Sequence, residues 1–251
     1  MFNQLELNFS DNPIAQAQTE APVEYMDEWT RPVVPQGDAM RTSAEITKII
    51  EKSYHYFGGW NNSFQKILDI ADYVLNMKED EYMNTVNSME RGAVMAASDV
   101  FGKLLSAFCF DYNIWDYLGC VYQEIASISK SKAFGQFFTP IPVAEAMALC
   151  ILGDISDNIE KSKQEGRRIT VHDPACGSGA LLLAAKRAIV AQAGLDGLRY
   201  FEFSGVDVDP VCVKMCRIQM TMTDFRYMSN LLMIKCYEIQ RDLNKAEESA
   251  A

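Results

Sequence analysis

The segment over residues 169–188, "ITVHDPACGSGALLLAAKRA", limits the fold more than any other part of the sequence. A short β-branched run ends in Asp173, a turn with two glycines follows, and an apolar, helix-forming run comes next. Gly177 and Gly179 permit backbone angles that a Cβ atom would block, and they let a ligand approach the main chain closely. A helix that begins directly after such a turn presents unpaired N–H groups. The segment therefore predicts a strand, a ligand-binding turn and a helix in succession.

The same order recurs along the second half of the chain. "PVAEAMALCILGDI" predicts a helix before the turn, and "RYFEFSGVDVD" predicts a second strand after it. "PVCVKMCRIQMTMTDF" predicts a helix with Pro210 in its first turn. Short alternation of strand and helix indicates the α/β class with a parallel, doubly wound sheet. The segment over residues 230–239 is either a third strand or one more helix.

Two acids follow the second predicted strand. Asp207 stands at its carboxyl end, where a carboxylate accepts two hydroxyl hydrogen bonds from a ribose in dinucleotide sites. The alternative role is a helix cap, and Asp209 directly before Pro210 suits that role better. Cys176 is interpreted as a small turn residue rather than a nucleophile. His172 is expected to point to the side of the strand opposite the ligand.

The first half of the chain is different in character. Residues 1–42 are expected to form an extended acidic leader, partly disordered, because they hold four prolines and no sustained period. Residues 43–128 are expected to be helical, with Thr42 or Ser43 as the first cap and later helices over 92–110 and 114–128. The α/β region then covers residues 129–251 and opens with the irregular loop "KSKAFGQFFTP".

Composition excludes several classes of protein. No run approaches the roughly 18 apolar residues of a membrane span, and the N-terminus lacks the layout of a signal peptide. The seven cysteines form no CxxC pair and there are only two histidines, so neither structural zinc nor a disulfide framework is expected. A reducing cytoplasm fits this cysteine content best. The net charge of −11, more than half of it in residues 1–40, is not that of a chain that grips nucleic acid unaided.

Three segments appear in one order: "GQFFTP", "DPACGSG" and "GVDVDP". Together with "DYLGCVYQEIAS" ahead of them, they resemble the S-adenosylmethionine-dependent N-6 adenine DNA methyltransferases. The resemblance is greatest to the modification subunits of type I restriction–modification systems, and it covers roughly residues 45–220. It implies a helical N-terminal region followed by a Rossmann-like methyltransferase domain, and the length of the chain implies that this domain stops after the second or third strand.

The resemblance also implies which residues hold the cofactor, S-adenosylmethionine. They are Phe138, Thr139, Pro140, Asp173, Ala175, Gly177, Gly179, Asp207 and Val208. Thr139 would bind the methionine carboxylate, Asp207 the ribose, and Val208 would pack on the adenine face. Phe137 and Phe138 are adjacent loop residues that point apart, so one of them is expected to be a core residue.

The stretch that does the chemistry in the family is missing here. Adenine methylation requires a flipped base with its amino nitrogen in line with the methyl group. The family uses Asn or Asp, two prolines and an aromatic for this, and the sequence contains no Pro-Pro. After Asp207 only 44 residues follow, whereas the remaining strands need on the order of 100 at usual unit sizes. No catalytic residue and no metal ligand is therefore assigned.

Three functions remain open. The chain is one part of an adenine-N6 methyltransferase, inactive alone, whose catalytic strand comes from another polypeptide. Alternatively it is a non-catalytic interaction or regulatory protein that retains the fold, or it methylates a small molecule; the helical N-terminal region argues against the last. DNA is expected as a partner only within a complex. The open edge of the strand "ITVHD" is expected to be covered by a second polypeptide, a second copy or the leader.

Overall fold

The computed structural model describes residues 5–8, 36–109, 114–129 and 139–224. Most of the expected leader, the loop residues that include Phe138, and the ambiguous segment 230–239 lie outside the described residues. The expectations for these three segments therefore stay predictions.

Five helices form the first half of the described chain. They are α1 (Gln36–Ser53), α2 (Trp60–Leu75), α3 (Glu79–Asn87), α4 (Arg91–Cys109) and α5 (Tyr117–Ser129), with a 3₁₀ turn at Tyr54–Phe57. Apolar residues at helical spacing, such as Ile46 and Ile50 of α1 and Phe64 and Leu68 of α2, are fully buried. The prediction of a helical region is confirmed.

The first helix begins earlier than the sequence pattern suggested. It begins at Gln36, so Thr42 and Ser43 lie inside it and neither caps it. Ala39 and Ser43 are both buried, which extends the apolar face of α1 by one turn toward its N-terminus. The Ser43 hydroxyl instead donates to the carbonyl of Tyr117, 3.5 Å away on α5.

The second half alternates helices and strands. Its elements are α6 (Ile141–Leu152), α7 (Ile155–Glu165), β2 (Ile169–Asp173), α8 (Ala180–Ala193), a 3₁₀ turn (Leu195–Tyr200), β3 (Phe201–Asp207) and α9 over residues 210–224. The predicted strands and helices are present, and α7 is an addition. Asp154 caps α7 by accepting from the N–H of Ser156 at 2.8 Å.

A small sheet carries the candidate site. β2 and β3 pair in parallel, with Ile169 opposite Phe201 and Asp173 opposite Gly205. A third strand, β1 (Leu5–Asn8), pairs antiparallel with the outer edge of β3, so the strand order is β1-β3-β2. The two-strand parallel pair agrees with the predicted α/β class. The leader was one of three candidates for covering the β2 edge, and its described part pairs instead with β3, whose second edge also offers backbone groups that need partners.

The last described helix joins the two halves. In α9 Cys212, Met215, Cys216 and Ile218 are completely buried. The Lys214 ammonium pairs with Asp69 of α2, and the Arg217 guanidinium contacts Asp72 of the same helix at 2.6 Å. Buried apolar residues from the helical half and from the sheet half belong to one contiguous core. None of the helices in the described part of the chain is both long and apolar enough to span a membrane.

Candidate functional site

The turn between β2 and α8 begins at a buried carboxylate. Asp173, the last residue of β2, is only 8% exposed. Its Oδ1 accepts a hydrogen bond from the Ala175 N–H at 3.0 Å, which tightens the turn. Its Oδ2 is buried and finds no hydrogen-bond partner among the described residues. A buried carboxylate oxygen in this state is costly unless a donor reaches it.

Two glycines then shape the backbone. Gly177 has φ +53° and Gly179 has φ +100°, both in the region that side chains disfavour. A Cβ atom at Gly179 would lie 3.0 Å from the Cys216 sulfur and 3.4 Å from the Cys216 Cα. Gly179 is also the N-cap of α8, and among the described residues no side chain caps that helix. The predicted need for glycine at this turn thus has a conformational cause and a packing cause.

Asp207 connects the end of β3 to the same turn. Its Oδ2 accepts the N–H of Gly177 at 2.8 Å, and its Oδ1 accepts the N–H of Asp209 at 2.9 Å. The neighbouring acid has the other role that the sequence offered: Asp209 accepts the N–H of Val211 at 2.8 Å and caps α9. The prediction that Asp209 is the cap is confirmed. Val208, between the two acids, is 62% exposed and offers an apolar surface beside the turn.

For the remaining predicted residues, the structure shows a less direct relation to the turn. Thr139 and Pro140 stand at the start of α6, with Pro140 as its N-cap, and α6 packs along α8. Phe138 lies outside the described residues. Hydrogen bonds bring Asp173, Ala175, Gly177 and Asp207 together, whereas the described contacts do not join Thr139 to them.

Cys176 lies in the turn, as the sequence suggested, and His172 lies just before the turn in β2. Cys176 is buried, and its N–H donates to the Val206 carbonyl at 2.9 Å. A Cβ atom at Gly205 would lie 2.9 Å from the Cys176 Cβ, so this residue is packed against β3. His172 is exposed, and its Nδ1 lies 2.9 Å from the Ser204 hydroxyl on the neighbouring strand. Within the described residues no group of three potential ligands is arranged to hold a metal ion.

A buried polar cluster beneath the turn was not predicted. The Asp116 carboxylate accepts from the Ser178 hydroxyl at 2.5 Å, from the Gln219 amide at 2.9 Å and from the Gly119 N–H at 2.9 Å. Burial raises the pKa of Asp116, and the three donated hydrogen bonds act in the opposite direction. The sequence signal was present in "DYLG", but nothing in a linear pattern connects it to Ser178 and Gln219.

A second buried pair joins α8 to α9. Lys186, 1% exposed, lies 2.5 Å from the carboxylate of Asp224 and 2.7 Å from the Thr223 hydroxyl. Burial raises the pKa of Asp224, although Lys186 and Arg168 lower it. The lysine lies in a run for which the sequence predicted a helix, and the sequence pattern gave no indication of an ionic partner.

A strand pair with a glycine turn and an acid at adjacent carboxyl ends is the arrangement in which open α/β sheets hold ligands. The model of the N-6 DNA methylase family matches residues 114–239, which include Asp116, the turn, β3 and α9. The chain belongs to the N-6 DNA methylase family. Helices α1–α4, which the sequence resemblance took in, lie outside the matched residues.

One curated relative illustrates the extent of the likeness. The type I restriction enzyme MpnII methylase subunit of Mycoplasma pneumoniae is 26% identical over 121 residues, which are 47% of this chain and 20% of the relative. The match thus spans about a fifth of that relative's length. No solved structure matches the chain.

Proposed function

We propose that this chain binds S-adenosylmethionine at the turn between β2 and α8, as the donor-binding part of a DNA adenine-N6 methyltransferase. The observation that carries the proposal is the buried Asp173 Oδ2, which lacks a donor among the described residues and lies at the start of a glycine turn. Membership in the N-6 DNA methylase family supports the choice of cofactor.

The residues present suit the cofactor's groups. A carboxylate has about four acceptor positions, and Asp207 uses two of them on Gly177 and Asp209. The other two suit the two hydroxyls of a ribose. Val208 offers its exposed side chain to the adenine face. Phe138, Thr139 and Pro140 are assigned to the methionine part, with Thr139 on its carboxylate. The cofactor supplies an electrophilic methyl group on a sulfonium, and the chain's own residues orient it.

We also propose the division of the chain that the sequence suggested. The helical region, which the sequence placed over residues 43–128, begins with α1 at Gln36, and the Rossmann-like domain covers residues 129–251. The parallel β2–β3 pair with α8 and α9 supports the second part. The described cysteines, all free thiols, fit a cytoplasmic protein.

Binding is tested by titration calorimetry with S-adenosylmethionine. Asp173→Asn keeps an oxygen for the Ala175 N–H but replaces the partnerless oxygen with an NH₂ donor. A lost hydrogen bond to a charged group is worth ~1.5–3 kcal/mol, so we expect the affinity to fall about tenfold or more. The matched control is Asp154→Asn, since Asp154 also accepts from the N–H two residues on, at the start of α7.

Two results would count against donor binding. If the unaltered chain gives no heat at millimolar cofactor, the binding proposal fails and a non-catalytic interaction or regulatory role becomes the better account. If Asp173→Asn and Asp154→Asn bind equally well, the cofactor does not use Asp173.

We further propose that the chain transfers no methyl group to DNA by itself. The sequence lacks the Asn/Asp-Pro-Pro-aromatic stretch, which in the family positions the adenine amino group. The relative's role as a type I restriction enzyme subunit supports action on DNA within a complex. A second polypeptide would supply that stretch, and either it or a second copy would cover the edge of β2, which pairs only with β3 among the described strands.

The measurement is incorporation of tritium from labelled S-adenosylmethionine into unmethylated DNA. We expect the purified chain to show none above a protein-free blank, while a DNA adenine methyltransferase under the same conditions labels the DNA. Tritium in DNA at N6 of adenine with this chain alone would refute the proposed inactivity.

A further inference from the structure

The buried cluster beneath the turn holds the turn at one residue, Ser178. Ser178 lies between the two glycines with positive φ, and it is completely buried. Its hydroxyl donates to Asp116 Oδ2 at 2.5 Å, and its carbonyl accepts from Gln219 Nε2 at 2.8 Å. The hydroxyl and the carbonyl of Ser178 are therefore held, the first by a residue ahead of α5 and the second by a residue of α9.

The two side chains that bind Ser178, those of Asp116 and Gln219, are themselves held by hydrogen bonds. Asp116 is 5% exposed and accepts the N–H of Gly119, which anchors it at the start of α5. The Gln219 amide donates to Asp116 at 2.9 Å, and its oxygen accepts the Leu118 N–H at 2.9 Å. Each side chain thus has a single orientation set by at least two partners.

The contact between "DYLG" and the turn leaves no room for a side chain at Gly119. A Cβ atom there would collide with the Asp116 carboxylate and would lie 2.5 Å from the Ser178 hydroxyl. Close approach of α5 to the turn therefore explains why glycine stands three residues after Asp116.

A glycine turn needs such anchoring because glycine has the most backbone freedom to lose on ordering. A conformation with positive φ persists where the surroundings over-determine it. The neighbouring amides are also engaged: Gly177 N–H donates to Asp207 and Gly179 N–H to the Cys176 carbonyl at 2.8 Å. The Ser178 side chain contacts Asp116, which belongs to the helical half.

We propose that Asp116 and Gln219 are positioning residues for the donor site. They hold Ser178, and through it the Gly177–Gly179 backbone, in the conformation that receives the cofactor, and they connect the N-terminal helices to that site. This inference rests on the proposed binding of S-adenosylmethionine. We assign neither side chain a contact with the cofactor, because the polar atoms of both are already engaged within the protein.

The test compares two buried aspartates that both contact α9. Asp116→Ala removes the link to Ser178. Asp72→Ala is the matched control, since Asp72 is 2% exposed and contacts Arg217 of α9 but no residue of the turn. Cofactor affinity is measured by calorimetry well below each variant's melting temperature. We expect affinity to fall at least tenfold more in Asp116→Ala than in Asp72→Ala.

Asp116→Asn provides the rescue. Its amide oxygen still accepts from Gly119 and Gln219, and its NH₂ donates to the Ser178 oxygen, so we expect it to recover most of the affinity. Equal affinities for Asp116→Ala and Asp72→Ala would show a merely structural role and overturn the inference. If Asp116→Ala does not fold, Ser178→Ala replaces it in the same comparison.

A second readout separates this inference from the proposed function. Amide hydrogen exchange at Gly177 and Gly179 is measured in the cofactor-free protein. Faster exchange in Asp116→Ala but not in Asp72→Ala supports the positioning role, even if the unaltered chain binds no cofactor. Unchanged exchange at both glycines would overturn it.

Discussion

At the scale of single residues, the turn was the most predictable part of the molecule. Two glycines and two acids at strand ends have roles that follow from backbone geometry and acceptor chemistry alone, and the structure joins Asp207 to Gly177 directly. Asp116 and Gln219 were not predictable in this way, because they meet Ser178 across 62 and 41 positions of sequence. A contact of that range leaves no period and no spacing in a single sequence.

A glycine substitution separates strain from packing. Gly179→Ala places a residue with a Cβ at φ +100° and 3.0 Å from the Cys216 sulfur. We expect it to lower the free energy of unfolding by ~2–4 kcal/mol, since strain and overpacking each cost about 1–3 kcal/mol. The control is Gly166→Ala, at φ +62° with nothing in the described part of the chain within 4 Å of the added Cβ.

Urea denaturation of both variants checks this prediction. Gly166→Ala reports the cost of a φ near +60°, so the difference between the two variants is the combined cost of the larger φ at Gly179 and of packing against Cys216. Equal losses of stability would mean that α9 gives way and that Gly179 is required only for its backbone angle.

At the scale of elements, two helices that the sequence did not single out have weak apolar patterns: α3, inside the region expected to be helical, and α7. Helix α3 buries none of its residues. Its first turn holds three acids, which stabilise a helix N-terminus. Helix α7 has a clear cap at Asp154 and a left-handed glycine at Gly166, both readable in the sequence, but only two buried residues. Periodicity detects helices that face a core, and these two face mainly solvent.

The contact between α8 and α9 depends on a buried ion pair. Lys186→Met leaves the Asp224 carboxylate buried without its cation, and removal of one partner from such a pair costs ~3–5 kcal/mol. Lys214→Met is the control, because its pair with Asp69 is partly exposed and such pairs contribute ~1 kcal/mol or less. The measurement is the free energy of unfolding in urea at pH 7.

The raised pKa of Asp224 predicts how the stability loss in Lys186→Met changes with pH. Burial raises the pKa of Asp224, so its neutral form is the better tolerated one in the folded state. Stability from such a group is present at low pH and is lost as pH rises through the folded pKa. The loss in Lys186→Met should therefore be smaller at pH 5 than at pH 8, with Arg168 as the remaining nearby cation. A larger loss at pH 5 would contradict this.

At the scale of the whole molecule, the sequence predicted a helical region and an α/β region, and the structure shows how the two pack together. Helix α9 belongs to the sheet half by sequence, yet Arg217 reaches Asp72 and Gln219 reaches the N–H of Leu118. These contacts span 145 and 101 positions. The alternation of strand and helix predicted the local order of elements correctly, but it carries no information about which helix faces the N-terminal half.

The pairing of β1 with β3 has a consequence for the order of synthesis. Leu5 lies opposite Asp207, so the strand made first must find a partner made roughly 200 residues later. At about 5–20 residues per second on the ribosome, that wait lasts about 10–40 seconds. The parallel pair of β2 and β3, separated by one helix, can form as soon as β3 emerges. β1 therefore joins a sheet after β2 and β3 have been synthesised and can already be paired.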